Sequence, residues 1–126
     1  MAYLTAKPRD KKQMLTIYHN PRCSKSRQTL ALIEEAKADV EIVEYLKTPL
    51  TEVQLKELMA LLSVPAIDMM RTKEAEFKEQ NLKGADEATL IAAMAATPKL
   101  MERPIVVAKD KAVIGRPPEN VLALLP

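Results

Sequence analysis

Residues 14–45 read MLTIYHNPRCSKSRQTLALIEEAKADVEIVEY, and this stretch decides the fold. Apolar and polar residues alternate at its start, which predicts a strand over 14–18. A helix is predicted over 24–36 and a second strand over 40–45. A strand, a helix and a strand within about 30 residues form a βαβ unit, so we expect parallel strands and a right-handed crossover. The buried side of the helix is expected to consist of apolar residues, namely Leu30, Leu32 and Ile33.

The chain beyond residue 50 predicts a group of helices and then a hairpin. Thr51 and Gln54 have the spacing of a capping box, which marks a helix start. Apolar residues recur there at helical spacing, at Leu55, Leu58, Met59 and Leu62. Further helices are predicted over 65–70, over 74–82 with Gly84 as the C-terminal cap, and over 86–96. Two strands are predicted over 104–107 and 112–114. A final helix is predicted to contain Val121, Leu122, Leu124 and Leu125.

The order of these elements is βαβ, a helical insertion and ββα. It predicts an α/β protein of the thioredoxin-like class, built around a four-stranded mixed sheet. A proline directly before the third strand suits this architecture, and the Arg103–Pro104 bond is a candidate for the cis form. Residues 14–126 are expected to form a single domain. Residues 1–13 show no periodicity and are interpreted as a flexible N-terminal extension that need not belong to the native domain.

Composition excludes several classes of function. The net charge is +2 and aromatic residues make up 3% of the chain, which argues against nucleic-acid binding. The two glycines are too few for a glycine-rich phosphate loop. One cysteine and one histidine argue against a structural zinc site, and one cysteine cannot close an internal disulfide. No apolar run is long enough for a membrane span, so we expect a cytoplasmic protein without a membrane partner.

The only cysteine, Cys23, lies between the first predicted strand and the first predicted helix. A helix N-terminus presents unpaired backbone N–H groups, which bind anions and favour a thiolate. A hundredfold gain in thiolate requires about 2.7 kcal/mol, whereas a helix terminus contributes about 0.3–1 kcal/mol. Positive charge must therefore assist, and Arg22, Lys25 and Arg27 are expected to supply it. The alternative is a half-buried structural cysteine.

Three further arginines stand apart from the charge-alternating surface segments: Arg71, Arg103 and Arg116. Arginine suits tetrahedral oxyanions, because its planar guanidinium makes bidentate hydrogen bonds and keeps its charge. These arginines are candidates for an oxyanion site around Cys23. The alternative for each is a solvated surface arginine, since sequence spacing does not show that they converge.

Two polar side chains near Cys23 are candidate supporting residues. His19 could tune the thiol or hydrogen-bond the loop backbone. Ser24 and Ser26 are interpreted as helix caps. Ser26 also occupies the position at which a Cys-x-x-Cys redox pair would have its second thiol, so redox turnover would need an external thiol.

Three separated motifs resemble the glutaredoxin-coupled arsenate reductase (ArsC) family, and its YfgD-like branch in particular. They are YHNPRCSKSR at 18–27, ERPIVV at 102–107 and GRPPE at 115–119, and the resemblance extends over about 14–125. It implies that Cys23 is the catalytic nucleophile and that Arg71, Arg103 and Arg116 bind the substrate oxyanion. The best-studied members have Cys-Gly-Thr-Ser-Arg where this chain has CSKSR at 23–27, which changes the charge and the conformational freedom of the loop.

The resemblance also implies a reaction. The thiolate attacks the arsenic of bound arsenate, glutathione forms a mixed species, and glutaredoxin resolves it as arsenite leaves. Glutathione is then a co-substrate, glutaredoxin is a partner, and no tightly bound cofactor is expected. His19, Ser26 and Arg27 would support the nucleophile.

Two other classes of function fit part of the sequence. Spx-like regulatory proteins resemble this fold and bind RNA polymerase without catalysing a reaction. Many of them carry a Cys-x-x-Cys switch at the place of Cys23 to Ser26, and the serine argues against such a switch here. A glutathione-dependent thiol transferase is the third alternative.

Overall fold

The computed structural model of the chain describes residues 14–125, so the prediction of a flexible extension over 1–13 lies outside the described residues. The described chain forms two compact units, one made of residues 14–43 and 103–125 and the other of residues 44–102. The prediction that 14–126 is a single domain is not tested by this division and stays a prediction.

The first unit contains the sheet and the helix that follows Cys23. Its strands are β1 (Leu15–His19), β2 (Val40–Glu44, which ends at the boundary with the second unit), β3 (Ile105–Val107) and β4 (Ala112–Ile114), and its helices are α1 (Ser24–Glu35) and a 3-10 helix (Pro118–Leu124). The strand order is β2-β1-β3-β4. β3 is antiparallel to both β1 and β4, with Val106 opposite Ile17 on one side and Val113 on the other. The predicted α/β class with a four-stranded mixed sheet is confirmed.

Apolar side chains from both ends of the chain form the core of this unit. Its fully buried cluster consists of Leu15, Ile17, Ile33, Val106 and Val121. Leu30 and Leu32 are only half-buried against it, so part of the predicted apolar face of α1 is peripheral. The fully buried positions of α1 are instead Ser26, Thr29 and Ile33. Two polar side chains therefore face inward at the start of this helix.

The second unit is helical. It contains α2 (Glu52–Leu62), a 3-10 helix (Ala66–Met69), α3 (Ala75–Glu79), α4 (Glu87–Ala96) and a short 3-10 helix (Pro98–Leu100). The predicted capping box is confirmed: Gln54 N donates to Thr51 Oγ1, and Thr51 N donates to Gln54 Oε1. Asp86 caps α4 by accepting a hydrogen bond from Thr89 N. An isolated antiparallel bridge joins Met70 to Met101.

One predicted helix end is wrong, and the final helix is of the 3-10 type. α3 ends at Glu79 and the chain takes a left-handed φ of 54° at Asn81, so Gly84, although its φ is 78°, lies too far along to cap the helix. The final helix is a 3-10 helix in which Val121 is fully buried and Leu122 is 54% exposed.

The Arg103–Pro104 peptide bond is cis, and so is the Arg116–Pro117 bond. The first of these bonds precedes β3 and the second follows β4. Because β3 and β4 are antiparallel, both arginines lie at the same end of the hairpin. Among the described residues, no helix has the length and apolar character needed to span a membrane.

Candidate active site

Cys23 occupies the N-cap position of α1. Its backbone is extended, with φ −91° and ψ 124°, and its N–H donates to the carbonyl of Asn20 at 3.0 Å. The first helical hydrogen bond runs from Arg27 N to the Cys23 carbonyl at 3.0 Å. Pro21, two residues after the end of β1, cannot donate a ladder hydrogen bond and so cannot extend the strand. The thiol is 9% exposed, so it is largely shielded yet not sealed from solvent.

A buried polar cluster joins the end of β1 to the start of α1. His19 Nδ1 lies 2.6 Å from Ser26 Oγ, and Asn20 N donates to the same oxygen at 3.0 Å. His19 is 6% exposed and Ser26 is fully buried. The Ser26 hydroxyl therefore fixes the loop that carries Cys23 against the first turn of the helix. This contact makes Ser26 a structural link rather than the helix cap predicted for it.

Arg116 contacts Cys23. Its Nη1 donates to Cys23 Sγ at 3.9 Å and to the carbonyl of Arg103 at 3.2 Å. Arg103 and Arg116 flank the β3–β4 hairpin, so the hairpin brings two cationic side chains to the N-terminus of α1. Arg103 and Arg116 thus both lie close enough to Cys23 to act on its thiol, and their assignment to an oxyanion site stays a prediction.

Opposing influences set the pKa of Cys23. Burial of the thiol raises its pKa, and this is the largest single influence. The backbone N–H of Ser26 and the Arg103 guanidinium lower it, as do the N–H of Lys25 and the charge of Arg116. The lowering influences together outweigh burial, so the pKa lies below its ordinary value. Helix N–H groups and arginine charge thus both favour the thiolate.

The prediction of which cations lower the pKa of Cys23 is wrong. The cations that lower the pKa of Cys23 are Arg103 and Arg116, not the neighbouring Arg22, Lys25 and Arg27. Arg27 does return over the first turn of the helix, as its position predicted, but it donates from Nη1 to the carbonyl of Pro21 at 3.0 Å. It thereby supports the loop backbone.

The interpretation of Ser24 and Ser26 as helix caps is also wrong. The N-cap residue of α1 is Cys23, and neither serine occupies that position. Ser24 is the first helical residue and is exposed. The N–H groups of the turn therefore stay directed at the thiol, where a serine cap would otherwise have occupied them.

Two residues behind the site were missed by the sequence prediction. Thr29 is fully buried, and its Oγ1 donates to the carbonyl of Lys25 at 2.8 Å. The same Oγ1 lies 3.4 Å from the carbonyl oxygen of Gly115. A Cβ at Gly115 would lie 2.6 Å from Thr29 Oγ1 and 2.9 Å from Pro104 Cγ. Gly115 is therefore required for close packing between α1 and the segment that carries Arg116. One signal was available in the sequence: a glycine between β4 and an arginine.

Arg71 belongs to the second unit and forms an ion pair there. Its Nη1 lies 2.8 Å from Glu74 Oε2, and the other oxygen of Glu74 lies 3.4 Å from Lys99 Nζ. Its assignment to the oxyanion site stays a prediction. Glu74 was not predicted, although its i,i+3 spacing from Arg71 is the spacing at which helical charges pair.

Comparison with known proteins gives consistent matches. A model of the ArsC family matches residues 18–124. The chain is 51% identical over 116 residues to Escherichia coli YfgD, covering 90% of this chain and 98% of that protein. It is 46% identical over 114 residues to an arsenate reductase of Neisseria meningitidis, covering 88% and 97%. The structure of an arsenate reductase from Vibrio cholerae superposes with a TM-score of 0.87 at 46% identity, covering 90% of this chain and 98% of that one. This similarity confirms the predicted thioredoxin-like fold.

Proposed function

The chain belongs to the ArsC family, and on this basis we propose that it reduces arsenate to arsenite with Cys23 as the nucleophile. The observation that carries the proposal is the position of the thiol. Cys23 Sγ lies at the N-terminus of α1 with Arg116 Nη1 at 3.9 Å, and the charge of Arg103 also favours its thiolate. The names of the similar Neisseria and Vibrio proteins support arsenate as the substrate.

The first step is attack by the Cys23 thiolate on arsenic. A sulfur–arsenic bond forms and an arsenic–oxygen bond breaks, and the departing oxygen takes up protons and leaves as water. The helix N–H groups and the guanidinium groups of Arg103 and Arg116 stabilise the negative oxygens of arsenate during this step. Arg71 is proposed as the third oxyanion-binding arginine. Arginine suits this role because it remains charged throughout.

Reduction requires electrons from outside the chain, because Cys23 is its only cysteine. Glutathione and then glutaredoxin are proposed to supply one thiol each. Overall, one arsenate and two thiols give one arsenite, one mixed disulfide and one water, so that arsenic gains two electrons while two sulfurs are oxidised. Ser26 is consistent with external resolution, since it replaces the second thiol of a Cys-x-x-Cys pair.

The test is production of arsenite by purified protein with arsenate, glutathione, glutaredoxin and a reductant that regenerates them. We expect arsenite from the natural chain and none above background from Cys23→Ser, because serine lacks the thiol. Replacing the glutaredoxin by a variant without its active-site cysteine should prevent arsenite release, because the second thiol is needed in every cycle. Absence of arsenite from the intact chain would overturn the arsenate assignment.

The same preparation addresses the alternative functions. A glutathione-dependent thiol transferase would reduce mixed disulfides of glutathione without arsenate, and this would require Cys23. A regulatory protein of the Spx-like class would bind RNA polymerase, and oxyanions would leave the reactivity of Cys23 unchanged. If arsenate protects Cys23 from alkylation, the result supports the reductase over both alternative functions.

A further inference from the structure

Glu74 holds the side chain of Arg71 through a shared network of charges. Glu74 Oε2 lies 2.8 Å from Arg71 Nη1, and Glu74 Oε1 lies 3.4 Å from Lys99 Nζ. Lys99 Nζ also lies 3.4 Å from Glu76 Oε2. Glu74 is thus the carboxylate that connects Arg71 to Lys99, whereas Glu76 contacts Lys99 alone within this network.

This network differs from an ordinary surface ion pair. The side chains of Arg71 and Glu74 are 27% and 17% exposed. In contrast, Lys47 and Glu44, which have the same i,i+3 spacing, are 79% and 41% exposed and 3.4 Å apart. Exposed pairs contribute little, because water screens them and side-chain entropy opposes them. The shorter and more shielded pair of Arg71 is the one expected to restrict its side chain.

The backbone at Arg71 is also fixed. Arg71 N donates to the carbonyl of Leu100 at 2.7 Å, and Glu102 N donates to the carbonyl of Met69 at 2.7 Å. These bonds place Arg71 directly beside the segment that carries Lys99. Glu74 N donates to the Arg71 carbonyl at 3.2 Å and closes the turn between the two charged residues. Both ends of the arginine are therefore held, the backbone by hydrogen bonds and the guanidinium by Glu74.

The pair leaves part of the guanidinium available. An arginine has five N–H donors arranged as a rigid fork. Arg71 uses Nη1 in its ion pair with Glu74. Within residues 14–125, its Nη2 and Nε make no hydrogen bond or ion pair. A guanidinium anchored through one nitrogen retains donors in a fixed plane for an oxyanion. Such preorganisation reduces the entropy lost when the anion binds.

We propose that Glu74 is a positioning residue that orients the Arg71 guanidinium for the substrate oxyanion. The inference rests on the proposed function, in which Arg71 binds arsenate. Lys99 has a complementary role, because its charge offsets that of Glu74 and limits repulsion between this carboxylate and an anionic substrate. In this proposal Glu74 influences oxyanion affinity through Arg71, without touching the substrate itself.

The test measures protection of Cys23 from iodoacetamide by inorganic phosphate and by arsenate. Glu74→Ala should weaken protection by about tenfold, the effect of losing a hydrogen bond to a charged group. Glu74→Gln should retain protection within about threefold, because its amide oxygen still accepts from Arg71. Glu76→Gln is the matched control and should leave protection unchanged, since it removes a carboxylate from Lys99 without touching Arg71.

A double-mutant cycle with Arg71→Ala separates positioning from general destabilisation. In that background, Glu74→Ala should produce no further loss of protection, because its effect passes through the arginine. Loss of the same size in both backgrounds, or a loss as large for Glu76→Gln as for Glu74→Ala, would overturn the proposal. If Arg71→Ala weakens protection and Glu74→Ala does not, the positioning role fails while the oxyanion site stands. If neither anion protects the natural chain, both fail together.

Discussion

At the residue scale, Cys23 shows why neighbours in the chain are a poor guide to the charge at a thiol. Arg22 and Lys25 are exposed and lie within two residues of Cys23 in the sequence. The cations that lower the pKa of Cys23 are nevertheless Arg103 and Arg116. Burial weakens solvent screening, so charges that reach a shielded thiol act more strongly than charges directed into water. The lowered pKa of Cys23 is consequently a property of the hairpin as much as of its own loop.

The pH dependence of Cys23 alkylation tests this origin of the charge. Alkylation follows the thiolate, so its rate should rise with pH through a midpoint below that of an ordinary cysteine. Arg103→Gln and Arg116→Gln each remove a charge that stabilises the thiolate. Both should raise the pKa, move the midpoint to higher pH and slow alkylation near neutrality. The larger change is expected for Arg103.

Arg22→Gln is the matched control for these variants. It removes a positive charge one residue from Cys23, and the midpoint should stay where it is in the natural chain, because Arg22 is exposed. An upward shift for Arg22→Gln as large as for Arg103→Gln would contradict the assignment and restore the neighbouring cations as the source of activation.

At the element scale, one local signal was read correctly, whereas the packing of a helix face was not. The capping box at Thr51 and Gln54 depends on four consecutive residues, so the sequence contains all of it. The inward face of α1 depends on what packs against the helix. Thr29 is buried because its hydroxyl lies against Gly115, which is 86 residues away along the chain. No periodicity within α1 could have indicated that contact.

Substitution of Gly115 by alanine tests this packing. A Cβ at this position would approach Thr29 Oγ1 and Pro104 Cγ to within 3 Å, and overpacking of this kind costs about 1–3 kcal/mol. We expect Gly115→Ala to lower the free energy of unfolding in urea by that amount. In a Thr29→Ala background the cost should fall, because two of the three clashing atoms belong to Thr29.

Gly84→Ala provides the comparison for this cycle. No atom lies within 4 Å of a Cβ at Gly84, so its cost arises from a φ of 78° alone, about 1–2 kcal/mol. Thr29→Ala should leave that cost unchanged, since distant substitutions add. If Thr29→Ala relieves Gly84→Ala and Gly115→Ala equally, contact between Gly115 and Thr29 is not the cause.

At the scale of the whole molecule, the sequence predicted the order of elements and the sheet, because strand and helix periods are local. Through the resemblance it also assigns three arginines to the oxyanion, and that assignment stays a prediction. It did not predict how Ser26 is used: the residue was interpreted as a cap and as the replacement for a second thiol, whereas its hydroxyl links His19 to Asn20 N. Hydrogen bonds between side chains seven residues apart depend on the tertiary turn and leave no spacing signature.

Substitutions in the 3-10 helix (Pro118–Leu124) test how much the stability of the first unit depends on packing between its two segments, 14–43 and 103–125. Val121 is fully buried in the core that contains Ile17 and Ile33, whereas its neighbour Leu122 is 54% exposed. Val121→Ala removes two methyl groups and leaves a cavity, so we expect a loss of about 2–3 kcal/mol in unfolding free energy. Leu122→Ala removes more carbon atoms, yet its effect should stay within about 0.5 kcal/mol.

Urea unfolding of both variants, followed by circular dichroism, gives the comparison. A midpoint shift for Val121→Ala alone, with an unchanged slope, is the expected result. Because Arg103 and Arg116 lie in the same C-terminal segment as Val121, loosening that segment should also move the alkylation midpoint of Cys23 upward. Equal destabilisation by the two variants would mean that the 3-10 helix does not anchor the segment. The support for the reactive thiol would then have to come from the hairpin alone.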